Sequence, residues 1–570
     1  MKISESEYRN SLTDEIISCL KKSRRPLKIK ELARAMNINR VTYPKFRRTV
    51  KEIFKQGLIV KDRGGRYTAP KIVDPIKSIL DEFKIPINFP KLVIEECEKI
   101  DPFISKEEIK KRRNLTELTC FTIDPEDAKD FDDAVSIEKT ENGGFLLGVH
   151  IADVDHYVNK NEHIDSQALS RGTSVYLPDK VIPMLPSKLS ENLCSLKPDE
   201  NRLALTVMIK IDAHGNIREY EIFESIIKSK ARLSYESAEE LIHSNPVRSK
   251  KNSNGAEISS SLKIMYKLSK ILDKKRLDRG YIDFDVPEVK ISLDENGKVL
   301  NIQKKKRLSS HVLIEEFMLL ANQCVAEYIT KNKVPMIYRV HETPDDLKTK
   351  DFAMLAKTLN YKFDQNKSKD PKYIQRFLHK TNGQKNHVLL SQILLSCMQK
   401  AIYSTKNVGH FGLALNCYTH FTSPIRRYPD LIVHRILKNK FKNRMDNLSE
   451  IAGIASEREQ IAIKIERESI KLKQVEFMKN KVGDVFEGVI SGVQPYGLFV
   501  AINDTLAEGL VHVSALKNDY YTFPEKQFAL VGRRTKRKFQ LGDSVKAQIV
   551  KVDSDKRLID FILTDDTKRN

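Results

Sequence analysis

Between Asp124 and Asp133 the chain sets six carboxylates into ten positions, in the run TIDPEDAKDFDDA from Thr122 to Ala134, and no other stretch limits the fold as sharply. Two carboxylates about 4 Å apart repel by about 4 kcal/mol at an effective dielectric of roughly 20. Such a run survives either as a turn screened by water or as a folded site completed by cations. Its flanks carry strand character: Phe121–Ile123 and Ala134–Glu138 are short apolar runs, and Phe145–Ile151 is a third. In an extended segment Asp130 and Asp132 share one face and Phe131 takes the other. A calcium-binding hand is excluded, because Asp124 lacks the D-x-[DN]-x-[DN]-G spacing and its closing glutamate. Two readings stay open at this level. One is a solvated acidic turn; the other is a site for hard cations such as Mg²⁺ or Mn²⁺, of the kind that serves phosphodiester hydrolysis.

The acidic run lies in a basic chain, with 99 Lys and Arg against 77 Asp and Glu and a formal charge of +22. A polyanion is the natural partner for that excess, the bland alternative being a basic but merely soluble protein. The seven cysteines are scattered and form no C-x-x-C pair, so neither a disulfide framework nor a zinc site is signalled. The start, MKISESEYRN, has no apolar core behind its charges, and no apolar stretch of about 18 residues occurs. We expect a cytoplasmic protein with no membrane segment.

At 570 residues, three or four domains are expected from a prior of about 150 residues each. Residues 1–70 read as a winged helix-turn-helix: helices over Glu7–Leu20, Ile29–Met36 and Tyr43–Gln56, a stop at Gly57, then a hairpin turning at Arg63-Gly64-Gly65. The third helix carries Lys45, Arg47, Arg48 and Lys51, which suits either a nucleic-acid contact or a solvated scaffolding face. Residues 71–119, punctuated by Pro75, Pro86, Pro90 and Pro102, read as a helical connector. A mixed α+β region follows over 120–478 and ends in a helix from about Ile451 to Met478. Within it, His243 to Ser261 is expected to be a surface loop. From 479 to 565 five short strands are expected, Phe486–Ile490, Gly497–Ile502, Gly509–Val513, Ser544–Val552 and Leu558–Ile562, which fits an OB-type β-barrel.

Five segments, in order, carry a resemblance. They are TIDPEDAKDFDDAV from Thr122, GVHIADVDHYV from Gly148, RGTSVYLPDKVIPMLPSKLSENLCSL from Arg171, IYRVH from Ile337 and GHFGLALNCYTHFTSPIRRYPDLIVHR from Gly409. Together they resemble the ribonuclease II and ribonuclease R (RNB) family of processive 3′→5′ exoribonucleases, over essentially the whole chain. The likeness implies a multidomain α+β protein: winged helix, RNB catalytic domain and C-terminal S1-type OB barrel.

Carried over position by position, the resemblance implies metal ligation by Asp124, Asp130, Asp132 and Asp133, with two Mg²⁺ ions that Mn²⁺ can replace. Asp132 is then the aspartate whose loss stops cleavage while sparing RNA binding. Arg426, in SPIRRYPD, matches the arginine that grips phosphate near the scissile bond, the alternative being an ion pair with Asp430. Glu466, in IERES, matches a carboxylate proposed to orient the terminal nucleotide or activate water. Tyr176 matches an aromatic that stacks on bases beside the cleavage point, against a core tyrosine as the alternative. In the barrel, Tyr496, Phe499 and His512 match the S1 base-contacting face, with Asp553 and Arg557 on a neighbouring strand. The run Arg533–Lys538 adds attraction for the phosphate backbone. His150, His156, His410 and His434 are read as structural.

One departure stands out. Long bacterial members of the family place two cold-shock-type OB domains ahead of the catalytic domain, and here only about 50 helix-like residues fill that place. The expectation is a monomeric, ribonuclease R-like enzyme of RNA decay and processing that releases nucleoside 5′-monophosphates. Two rivals are a single-strand-only enzyme of the ribonuclease II kind and a catalytically silent RNA-binding regulator.

Overall fold

Alternating apolar residues from Cys120 to Lys228 build the sheet that positions everything else. The computed structural model describes residues 5–23, 25–55, 58–62, 64–68, 75–243, 253–284, 287–384, 386–438, 447–524 and 528–564. The chain divides into two compact units, Met1–Ser78 and Ile79–Asn570.

In the first unit, helices Glu5–Lys22, Ile29–Ala35 and Tyr43–Lys55 are followed by strands Val60–Lys61 and Arg66–Thr68. A short strand, Leu27–Lys28, completes a three-stranded sheet by pairing with Arg66–Thr68. This is a winged helix. Phe46, Val50 and Ile53 on the third helix are buried, while Lys45, Arg47, Arg48 and Lys51 are exposed, so the basic residues form its outer face. The expected helix stop at Gly57 and the turn residue Arg63 lie outside the described residues.

In the second unit a seven-stranded sheet runs in the order Arg232–Ser234, Cys120–Asp124, Asp133–Lys139, Phe145–Ala152, Asn201–Ile211, Ile217–Lys228, Arg113–Leu115. Its centre is antiparallel and both outermost pairings are parallel. Inward residues such as Val135, Ile137, Leu147, Val149, Leu205 and Val207 join the helix Ser309–Lys331, through Leu313, Phe317 and Ala321, in one core. A polar line runs across the opposite face of the sheet: Ser136 Oγ to His150 Nε2 at 2.9 Å, His150 Nδ1 to Thr206 Oγ1 at 2.9 Å, and Thr206 to Ser225 at 2.7 Å. Burial pushes the His150 imidazole down to about 3, so it is a neutral structural bridge. A Cβ at Gly148 would sit 2.3 Å from Ser136 Oγ, so this crossing requires glycine there.

The stretch expected as a separate connector is partly absorbed into this unit. Arg113–Leu115 forms the outermost strand, and Val93 and Cys97 of helix Lys91–Glu98 are in the core. The loop expected over His243 to Ser261 is also corrected: residues 244–252 lie outside the described residues, but Ser253 already belongs to the helix Ser253–Arg279. The closing helix is Leu448–Lys479. After it comes a closed barrel of Val485–Gln494, Gly497–Ile502, Glu508–His512, Leu558–Leu563 and Ser544–Asp553, paired in that order. An extra three-stranded sheet, Tyr521–Thr522, Ala529–Gly532 and Lys538–Gln540, interrupts it. Its strands are too short to read from alternation. All seven cysteines are free, and among the described residues no helix is long and apolar enough to cross a membrane.

A buried ion network ties the helix Tyr428–Lys438 to the sheet. Asp153 meets Arg112 at 2.6 Å and Lys438 at 3.0 Å, and Arg435 reaches Asp155 at 2.9 Å and Asp165 at 2.8 Å. Burial pushes the Asp153 carboxyl up, but Lys438 and Arg112 outweigh it and hold the group at about 2. Its stabilisation is therefore complete above the unfolded value of about 3.9 and is lost as pH falls through the folded value. Asp153→Asn should cost about 3–5 kcal/mol near neutrality, the range for breaking a buried pair. The gap in melting temperature between variant and wild type, followed by circular dichroism, should close as the wild-type carboxyl protonates on acidification.

Candidate active site

The acidic run leaves the sheet at Asp124 and re-enters it at Asp133, so both ends are fixed by strands. Between them the loop is pinned by Ser195, whose hydroxyl donates to Lys129 O at 2.7 Å and accepts from Phe131 N at 3.1 Å. Leu196 N donates to Phe131 O at 3.0 Å, and Arg232 donates to Pro125 O at 2.8 Å. Phe131 is buried, as its alternation with the aspartates predicts. Glu126 and Asp127 are exposed, Asp124, Asp130 and Asp133 are partly buried, and Asp132 is buried.

Asp132 is met by the loop before helix Tyr428–Lys438. Ile425 N donates to its Oδ1 at 2.8 Å, and Arg426 Nε lies 3.7 Å from its Oδ2. The alternative pairing of Arg426 with Asp430 is rejected, because Arg427 takes Asp430, at 2.7 Å. Arg426 instead keeps its guanidinium 42% exposed over the carboxylates, steadied by Ser423 Oγ at 3.0 Å. Tyr176 is also accounted for. It lies in the small hairpin Val175–Tyr176 and Val181–Ile182, its ring 39% exposed and its hydroxyl 3.5 Å from Asp130 Oδ2. Its backbone N–H donates to Glu466 at 3.1 Å, which brings Glu466 of the closing helix to the same place. The four aspartates, Arg426, Tyr176 and Glu466 thus share one site.

The electrostatics are those of a site short of positive charge. Burial and the neighbouring Asp133 push Asp124 up to about 8, and burial raises Asp133 to about 6 against the pull of Arg426 and Arg427. Asp132 is raised well above the usual carboxylate range by burial, with Arg426 opposing, and burial raises Asp130 and Glu466 too. Asp124 Oδ2 is buried without a hydrogen-bond partner among the described residues. Among those residues no three His, Cys, Asp or Glu side chains form a finished metal cage. An orphaned carboxylate oxygen amid raised carboxyls nevertheless fits a hard cation whose coordination is completed by water or phosphate oxygen.

Several contributors carry no signal in the sequence. Ser195 and Ser423 are ordinary loop serines, and Arg427 is indistinguishable from its neighbour until Asp430 is placed. Tyr235 follows Ser234, which pairs in register with Asp124, and its ring stacks on His311 with centroids 4.0 Å apart. Of the histidines expected to be structural, His434 bonds Phe421 O through Nε2 at 2.9 Å, and burial pushes His410 down to about 3.

On the barrel, Tyr496 and Phe499 meet edge to face at 6.2 Å, and His512 pairs in register with Gly497 beside them. Tyr496 and His512 are exposed and Phe499 partly so. Arg557, also expected at the RNA-contacting face, is paired with Glu468 of the closing helix at 2.6 Å. Asp553 caps the turn before it, accepting from Lys556 N at 3.0 Å.

A family model described as the RNB domain matches residues 112–443, and one described as the S1 RNA binding domain matches residues 479–563. Ribonuclease R of Aquifex aeolicus is 42% identical over 502 residues, covering 87% of this chain and 71% of the relative. The chain belongs to the ribonuclease R family. Ribonuclease R 1 of Lactococcus lactis is 41% identical, over 85% of this chain and 60% of its own length, so the chain is markedly shorter than these relatives. The solved apo form of Mycoplasma genitalium RNase R is similar in structure, with a TM-score of 0.81 at 30% identity, covering 87% of this chain and 78% of that one. The family is one of 3′→5′ exoribonucleases, and its nucleases are metal-dependent.

If the raised carboxyls await a cation, millimolar Mg²⁺ or Mn²⁺ should raise the melting temperature. Saturation about 100-fold above the dissociation constant contributes about 2.7 kcal/mol. Differential scanning fluorimetry should show that shift in wild type and a much smaller one in Asp124→Asn.

Proposed function

We propose that the protein is a processive 3′→5′ exoribonuclease that hydrolyses RNA to nucleoside 5′-monophosphates, acting as a cytoplasmic monomer in RNA decay and processing. The observation that carries this reading is Arg426, held out over buried Asp132 by its own loop, with Tyr176 and Glu466 beside it. Asp124, Asp130, Asp132 and Asp133 would hold Mg²⁺, two ions in all, with Mn²⁺ able to substitute. The chemistry such a cation supplies is an activated water and a neutralised leaving oxyanion.

The chain's own residues do the rest. Arg426 presents a planar fork of donors to a phosphate that would otherwise be repelled by the aspartates. Tyr176 offers a ring to any base, a contact worth about 1–3 kcal/mol and indifferent to sequence, which suits an enzyme that must advance along any RNA. Glu466 accepts the Tyr176 N–H, so the carboxylate that orients the terminal nucleotide and the stacking ring are registered to each other. Tyr496, Phe499 and His512 on the barrel hold the incoming strand, and the cationic run Arg533–Lys538 draws its backbone. Mycoplasma genitalium RNase R has been solved with ribose-methylated single-stranded RNA and with double-stranded RNA. That supports a single-stranded 3′ end as the substrate here, and structured RNA behind it.

A 5′-labelled oligoribonucleotide incubated with protein and Mg²⁺ should shorten to a small labelled remnant, whereas Asp132→Asn should bind it and leave it full length. Full-length label with both proteins would favour a silent RNA binder instead. Tyr496→Ala should weaken binding by about 1–3 kcal/mol with little change in salt slope. Neutralising Arg533, Arg534 and Lys536 should flatten the slope of log affinity against log salt. Fluorescence anisotropy at several salt concentrations separates the two.

A further inference from the structure

The loop Ser423–Arg427 reaches Asp132 with two groups, the Ile425 amide and the Arg426 guanidinium, and neither is held by its own side chain alone. Asp430, buried in the first turn of the helix Tyr428–Lys438, accepts from Ser423 N at 2.8 Å and from Arg427 Nη2 at 2.7 Å, both on Oδ1. Arg427 N donates to Ser423 O at 2.9 Å. Ser423, Arg427 and Asp430 thus close a ring, and Ile425 and Arg426 form its apex. The opposite side of the loop is tied to the strand that leads to Tyr176. Arg426 O accepts from Ser174 N at 3.0 Å and Thr173 Oγ1 at 2.9 Å, and Tyr428 N donates to Gly172 O at 3.0 Å.

We infer that Asp430, through Arg427 and Ser423, is a positioning residue for cleavage: it sets the Ile425 amide and the Arg426 guanidinium on Asp132 and registers them to Tyr176. A buried ion pair is weak evidence for stability, since apolar residues of similar volume often serve as well or better. What apolar residues cannot supply is an acceptor that fixes the Ser423 amide and the Arg427 fork at one point. The pair therefore fixes geometry, and a displacement of about 1 Å at a reacting centre can cost about 100-fold in rate. Asp430 bonds Ser423 and Arg427 and is fully buried, so its effect must pass through the loop.

The inference rests on the exoribonuclease reading, and the test separates the two. Wild type, Asp430→Asn, Arg427→Lys and the apolar pair Arg427→Met with Asp430→Leu are compared in single-turnover cleavage and in anisotropy without divalent cation, each checked for folding by circular dichroism. Asp430→Asn is expected to lower the cleavage rate by about 10- to 100-fold while RNA affinity moves far less. Arg427→Lys, which keeps the charge, should lose less, and the apolar pair should fold but cleave slowly. In an Arg426→Ala background the Asp430→Asn effect should shrink, because the part that passes through Arg426 is already lost and only the part that passes through the Ile425 amide remains. An equal effect in both backgrounds, or a fully active apolar pair, overturns the inference. Wild type that fails to cleave overturns the exoribonuclease reading itself. Should Asp430→Asn not fold, Arg427→Lys in the two Arg426 backgrounds carries the same comparison.

Discussion

One hydrogen bond, from the Ile425 amide to Asp132 Oδ1 at 2.8 Å, joins residues 293 positions apart and defines the site. Both partners are held from behind. Asp132 is fixed by the strand beginning at Asp133 and by Ala152 N on its own carbonyl at 2.8 Å, and Ile425 is fixed by the ring through Asp430. A carboxylate with 4% exposure could not stay in place without such a donor. Accepting it leaves Oδ2 to face Arg426.

The rest of the molecule keeps those two anchors still. The sheet is antiparallel where it carries the acidic run, and His150 locks four of its strands through polar contacts that tolerate no sliding. The helix after the arginine loop is attached by Lys438 to Asp153, which follows the strand Phe145–Ala152, and by Arg435 to Asp155 and Asp165 beyond it. Such buried pairs are costly to desolvate and rewarding only with good geometry, which is what makes them useful as spacers. The closing helix Leu448–Lys479 adds Glu466 at one point along its length and Glu468, which grips Arg557 of the barrel, two residues later. The carboxylate at the site and the carboxylate that holds the barrel therefore belong to one helix.

Much of this was legible in the sequence, for identifiable reasons. Crowded carboxylates, alternating strands and a barrel of regular short strands are local patterns, and the resemblance carried Arg426, Tyr176 and Glu466, which periodicity could not have found. The illegible parts are contacts between distant segments. Nothing in SPIRRYPD says that Arg427 rather than Arg426 takes Asp430, since both lie within reach along the chain; the choice is made by Asp132, which occupies the other side of the loop. Arg557 was expected on a strand beside the base-contacting face, but it precedes the strand Leu558–Leu563 and pairs with Glu468. The strand Arg113–Leu115 was hidden because three residues have no period, and it exists only as a parallel partner of Ile217–Lys228.

The charge distribution gives the arrangement its direction. A chain of +22 attracts polyanions at long range, and a point of negative charge inside it is where a phosphate alone is least welcome. Repulsion there is relieved by whatever positive charge arrives, so phosphate and cation are each admitted most readily in the presence of the other. Arg426 lowers the barrier from the protein's side without closing the site: it is 3.7 Å from Asp132 Oδ2, near enough to attract it and too far to complete a hydrogen bond. A tighter pair would neutralise Asp132 and leave nothing for a cation. Holding the arginine at that distance falls to the loop and to the ring of Ser423, Arg427 and Asp430 behind it.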